Sequence, residues 1–155
     1  MSISMLFKQD TQLLNELVLL LIKEQSALVN MDIDEVESIL DQKSKLIQTI
    51  ANATKMRHKA LAQAGYDANE NGMVMWLRAN DTKALHVQWD AFQKQLAQAK
   101  ELNRVNGQVI NQHFKQNQQM ISQLQGKAVN AGAGSVYGPN GQTTFSSQTR
   151  SMLSV

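Results

Sequence analysis

DTKALHVQWDAFQKQLAQAKELNRVNGQVINQHFKQNQQMISQL, residues 81–124, is the stretch whose reading decides the fold. Taken in alternating steps of three and four, it yields Leu85, Trp89, Phe92, Leu96, Ala99, Asn103, Asn106, Ile110, His113, Asn117, Met120 and Leu124. Those steps average ~3.5 residues, the period that keeps one seam of a helix against a partner helix. A helix of about 44 residues would run roughly 66 Å at about 1.5 Å per residue. That is too long for a compact globule of this size. The expectation is an all-α chain: an elongated antiparallel bundle of three long helices plus one short helix. The seam is apolar to Ala99, polar at Asn103 and Asn106, and mixed beyond.

Toward the N-terminus, residues 2–29 read as the first helix, with Leu6, Leu13, Leu17, Leu20, Leu21 and Leu28 at helical spacing. The longest apolar run, Leu17 to Ile22, falls far short of the ~20 residues that span a membrane. An interfacial helix would want Lys and Arg along its polar face, and this one has too few. Asn30-Met31-Asp32 breaks the helix. Asp32 is the expected N-cap of a second helix, with Glu35 as its capping-box partner. Asp34, Glu35 and Glu37 sit where the helix dipole favours negative charge. The stripe that follows is Ile33, Val36, Leu40, Ile47, Ile50, Leu61 and Ala64, interrupted by Lys43, Thr54 and Arg57, so the middle of this seam is loose. Lys55 to Lys59 is a basic cluster. Gly65 is the expected C′ residue. A link of two or three residues makes the first two helices an antiparallel hairpin.

Tyr66 to Asn71 reads as a loop and Gly72 to Ala79 as a short helix that tucks Trp76 under one end of the bundle. Trp76 and Trp89 read as core residues. Asp81 is the expected cap of the long helix, which should end near Gly126. Five glycines from Gly126 to Gly141, set among Ser, Thr, Gln and Asn, remove any apolar period from the last 30 residues. Such a segment buries too little to order itself. The division expected is a bundle domain at 1–125 and a flexible tail at 126–155. Val136-Tyr137, Phe145 and Met152-Leu153 are apolar exceptions in that tail, suited to docking on a partner.

Composition limits the chemistry. The chain has 155 residues and no cysteine, which excludes disulfides and thiolate metal sites and suits a cytoplasmic setting. The formal charge is +2, but none of the 13 acidic residues lies beyond Glu101, while Arg104, Lys115, Lys127 and Arg150 do. Four charges so dispersed do not make a nucleic-acid groove. His58, His86 and His113 stand apart, and no Glu-x-x-His, nucleophile–base pair or phosphate loop occurs. The expectation is a non-enzyme with no cofactor and no metal.

The polar break is the informative feature. Glycine within a helix costs about 1 kcal/mol against alanine, and a buried, unpartnered Asn about 1–3 kcal/mol. Two readings fit Asn103, Asn106 and Gly107. Another chain packs there, or the Asn pair fixes register among the chain's own helices.

Leu102-Asn103-x-x-Asn106-Gly107, followed by Val109-Ile110, a Gln/Asn-rich stretch and Met120-x-x-x-Leu124, resembles the signature segment of the FlgN family, cytoplasmic chaperones of flagellar type III export. Tyr137-Gly138-Pro139-Asn140-Gly141-Gln142-Thr143 is similar to the end of the same family. The resemblance implies a chaperone without ATPase activity. It would hold the C-terminal segments of the hook–filament junction proteins FlgK and FlgL and deliver them to the export gate. By matching positions, Asn103, Asn106, Gly107, Val109, Ile110, Phe114, Met120, Ile121 and Leu124 would contact the client. Tyr137, Gly138 and Gly141 would dock on the cytoplasmic domain of the gate. The alternative is a self-assembling structural or adaptor coiled coil, and the seam also allows a homodimer.

Overall fold

The computed structural model describes residues 1–80 and 82–131, with side chains through Lys127. Four helices follow in order: α1 (Ile3–Val29), α2 (Ile33–Gln63), α3 (Glu70–Ala79) and α4 (Lys83–Ala131), with no strand among the described residues. The expected three long helices and one short one are all present. The chain divides into two compact units, Met1–Ile110 and the residues from Asn111 onward.

In the first unit, α1 and α2 form the hairpin. The buried positions of α1 include Ile3, Phe7, Asp10, Leu14, Val18, Leu21, Glu24 and Leu28, again in steps of three or four. Leu13, Leu17 and Leu20, placed in the stripe by residue type, are only half-buried. The reason is that two seam positions are acidic. Counting leucines alone moves the stripe sideways past Asp10 and Glu24. On α2 the core is Val36, Ile39, Ala53 and Leu61, with Arg57 beside them. Ile33, Leu40 and Ile47 are exposed instead of buried. Between Ile39 and Ala53 no residue of α2 is buried, so the loose middle expected from the sequence is present.

Helix ends follow local chemistry. Asp32 Oδ1 accepts from the Glu35 amide at 3.1 Å. The Glu35 carboxylate reaches Lys23 Nζ at 2.8 Å. Gly65 has φ +86°, the left-handed conformation that ends α2. The Tyr66 amide donates to the Leu61 carbonyl and the Gly65 amide to that of Ala62, a Schellman pair. The end of α1 has the same two bonds, from Asp32 to Ala27 and from Met31 to Leu28. There the left-handed residue is Met31, φ +57°, where glycine or asparagine would cost less.

The short helix starts two residues earlier than expected, because Asn69 Oδ1 caps it by accepting from the Gly72 amide at 3.0 Å. A Cβ on Gly72 would lie 1.9 Å from the Asp67 carbonyl oxygen, so only glycine fits. Gly72, Met73 and Leu77 are its buried residues, while Trp76 is half-buried against the same cluster as the latter two. Asp81, the expected cap of α4, lies outside the described residues.

The main core joins Phe7, Leu14 and Leu21 of α1, Leu61 of α2, Met73 and Leu77 of α3, and Phe92 and Ala99 of α4. Phe7, Trp89 and Phe92 form a ring cluster with centroids 5.4–5.6 Å apart. A smaller cluster of Ala27, Leu28, Val36 and Ile39 sits near the hairpin turn, covered in part by Val109 and Ile110. Contrary to the expected stop near Gly126, α4 continues to Ala131. Gly126 keeps a negative φ, and a helix needs no more than that to pass through it.

Candidate functional site

The polar break in α4 is one half of a three-helix polar layer. Asn106 has no exposed surface. Its Nδ2 donates to the Leu21 carbonyl and to Glu24 Oε2, both at 2.9 Å. Glu24 is equally buried, and its other oxygen accepts from Lys43 Nζ at 2.8 Å. Lys43 also donates to Asn103 Oδ1 at 3.3 Å. The residues that interrupted two separate stripes in the sequence, Lys43 and Asn106, therefore meet on one glutamate. Asn106 is thus bonded to the chain's own helices, which supports the second of the two readings.

A second polar layer lies two heptads back along α1. Arg57, almost fully buried, donates from Nε to Asp10 Oδ2 at 2.6 Å and from Nη2 to Glu70 Oε1 at 2.9 Å. His58 Nε2 is 3.1 Å from the same Glu70 oxygen. Burial pushes the Asp10 carboxyl above its ordinary value, and the bond and charge of Arg57 do not fully offset this. Asp10 Oδ1 has no donor, which agrees with that direction. Burial works to raise Glu70 as well. There the bonds and charges of Arg57, then His58, prevail and hold the carboxyl below its usual range.

The two layers share one register. Asp10 and Glu24 are two heptads apart on α1, and their partners Arg57 and Lys43 are two heptads apart on α2, in reverse order. A slip of the hairpin by one turn would bury two carboxylates and two cations without partners. Sequence reasoning missed both pairs. The available signal was opposite charge at matched seam positions of two antiparallel helices.

Beyond the polar layer, α4 changes character. Gly107 is half-buried, with nothing within 4 Å of where a Cβ would stand. Val109 and Ile110 are half-buried against the hairpin-turn cluster. The structural part of the seam thus runs on to Ile110, past its expected end at Ala99. From Asn111 to Lys127, every residue but His113 is exposed, although the backbone remains helical. Phe114 is 62% exposed, Met120 60%, Ile121 55% and Leu124 61%. With Asn117, these lie in steps that put them along one side of the helix. An exposed apolar helix face of this kind is the usual form of a surface that a second helix can cover. Tyr137, Gly138 and Gly141 lie outside the described residues.

Among the described residues, no group of three or more His, Cys, Asp or Glu is placed to hold a metal ion, and no helix is long and apolar enough to cross a membrane. The described residues define an all-helical protein: a hairpin-based bundle over Met1–Ile110 with buried ion pairs, and a second helical unit in which Phe114, Met120, Ile121 and Leu124 are exposed. The family model described as FlgN protein matches residues 1–144, and the chain belongs to the FlgN family, the flagellar export chaperones for hook-associated proteins. No curated protein and no solved structure matches the chain.

Proposed function

We infer that the chain is a cytoplasmic chaperone that holds the C-terminal segments of the hook–filament junction proteins FlgK and FlgL and hands them to the type III export gate. The observation that carries this reading is the stretch from Asn111 to Lys127, helical yet exposed, with Phe114, Met120, Ile121 and Leu124 open to solvent. The recognition mode is helix beside helix. A client segment that is disordered alone folds as an amphipathic helix along Phe114 to Leu124, a length of about 15 Å at about 1.5 Å per residue. Gly107, Val109 and Ile110 are the client contacts proposed on the first unit, and the open space over Gly107 lets a chain come close there. Asn103, exposed, offers the client its amide, whereas Asn106 contributes by holding α4 to the hairpin. Tyr137, Gly138 and Gly141 serve as the docking segment for the export gate.

Titration calorimetry of the full chain against the C-terminal segment of FlgK or FlgL tests this. A saturable, stoichiometric complex is expected. Absence of heat and of any complex by size exclusion, with a functional client–chaperone pair as control, would remove the proposal.

A further inference from the structure

One line of α2 that the sequence marks as core is left open by the fold. Ile33, Leu40 and Ile47 recur every seven residues, and seven residues return a helix to within about 20° of the same direction. They therefore lie along one side of α2 over about 21 Å. Ile33 is 57% exposed, Leu40 37% and Ile47 47%. The buried residues of α2 are Val36, Ile39, Ala53, Arg57 and Leu61, a different line. Leu40 and Ile47 stand one turn either side of Lys43, whose ammonium is tied to Glu24 and Asn103. The open line thus runs beside the polar layer, within the unit Met1–Ile110. The turn before it adds Met31, exposed and left-handed at φ +57°, a conformation that costs a non-glycine residue roughly 1–2 kcal/mol. Charge here has one sign. Residues 32–41 hold five acidic side chains, Asp32, Asp34, Glu35, Glu37 and Asp41, and no basic one. Lys23 pairs with Glu35 and Lys45 with Asp41, while Asp34 and Glu37 are exposed. Glu37 is four residues after Ile33 and three before Leu40, so it stands on the same side of the helix.

We propose that this line is the docking surface for a lysine- or arginine-rich amphipathic helix of a partner protein, packed along α2 with its apolar residues over Ile33, Leu40 and Ile47 and its cations beside Asp34 and Glu37. A line repeating every seven residues is the seam one helix offers to another. Such a stripe recognises an amphipathic helix whose apolar residues share its spacing. Charge complementarity then chooses among such helices, since the acidic flank attracts a basic one and repels an acidic one. The stretch of α4 from Asn111 to Lys127 has the opposite bias, with Lys115 and Lys127 and no acid. A segment whose charge suits that stretch does not suit this one. The surface is therefore separate from the client face proposed at Phe114 to Leu124 and does not rest on it.

Fluorescence anisotropy of a labelled synthetic helix titrated with the full chain is the test. The probe is a peptide of three heptads with leucine at the first and fourth positions and lysine at the flanking positions. Its counterpart carries glutamate in place of lysine. Saturable binding of the lysine peptide is expected, weakened by added salt, with the glutamate peptide at least about tenfold weaker. Leu40→Lys and Ile47→Lys each put a like charge in the line and should weaken binding at least about tenfold, as loss of an apolar anchor does. A lysine stem still covers the apolar surface below it, so the melting midpoint should hold. If either variant melts early, Ile33→Lys, at the most exposed of the three positions, reads the same surface. Met75→Lys, at an exposed position of α3, should bind like the wild type. The proposal is overturned by an absence of saturable binding, by equal affinity for the two peptides, or by unchanged affinity in the lysine variants of α2. It is also overturned if the triple variant Phe114→Ser, Ile121→Ser, Leu124→Ser loses the peptide, because the probe would then sit on α4. That triple variant, which tests the client reading, should leave this binding intact, so the two readings fail separately.

Discussion

The Asn106 amide has its nitrogen fully bonded, while its Oδ1 is buried without a donor. Both hydrogens of its amide are used, on Leu21 and on Glu24. Asn106→Leu, isosteric in outline, should therefore destabilise the chain by about 1–3 kcal/mol, the cost of leaving buried polar partners unmatched. Urea denaturation reads this. Arg57→Ala should cost more, about 3–5 kcal/mol, because Asp10 is left charged and buried. Replacing both partners, Asp10→Leu with Arg57→Met, should recover most of the loss. If the double variant is as unstable as Arg57→Ala, the pairing argument is wrong. The two carboxylates of this layer pull the acid limb of stability in opposite directions. Glu70, held below its ordinary value, contributes stability that is lost as pH falls through that lowered value. Asp10, held above 3.8, takes up its proton in the folded state first and offsets part of that loss. Denaturation between about pH 3 and 6 should show a shallower acid decline for Glu70→Gln and a steeper one for Asp10→Asn.

At the scale of the helix, what could be read in advance was the period. The 3.5-residue repeat located α4, and Asp32 and Gly65 located the ends of α2. The identity of the seam residues was less legible. A search for leucines could not anticipate that Asp10, Glu24 and Arg57 are core positions, because a charge becomes a core residue only through a partner 19 or 47 positions away. The break at Asn103 and Asn106 was visible, but its meaning depended on Glu24 and Lys43 arriving from two other helices. Gly107 is the informative exception. Its Cβ position faces open space. Gly107→Ala should stabilise α4 by about 0.5–1 kcal/mol, the helix-interior difference between the two residues. If a client backbone approaches there, the same change weakens client binding while raising the melting midpoint. A fall in both would mean that Gly107 serves the bundle's own packing.

At the scale of the molecule, stability and the proposed client binding fall to different stretches of one helix. Up to Ile110, α4 is tied to the hairpin by the aromatic cluster, the polar layer and the cover over Ala27 and Leu28. From Asn111 to Lys127 its apolar side chains Phe114, Met120, Ile121 and Leu124 are exposed. This separation is the central claim, and one comparison tests it most directly. Calorimetric titration of the FlgL C-terminal segment into the wild type and into the triple variant Phe114→Ser, Ile121→Ser, Leu124→Ser should be paired with a thermal melt of each protein alone. The prediction is a loss of client affinity of at least about a hundredfold, or about 2.8 kcal/mol at about 1.4 kcal/mol per decade, with a melting midpoint that scarcely moves. Undiminished affinity in the triple variant, or a collapse of its melting transition, would contradict the account.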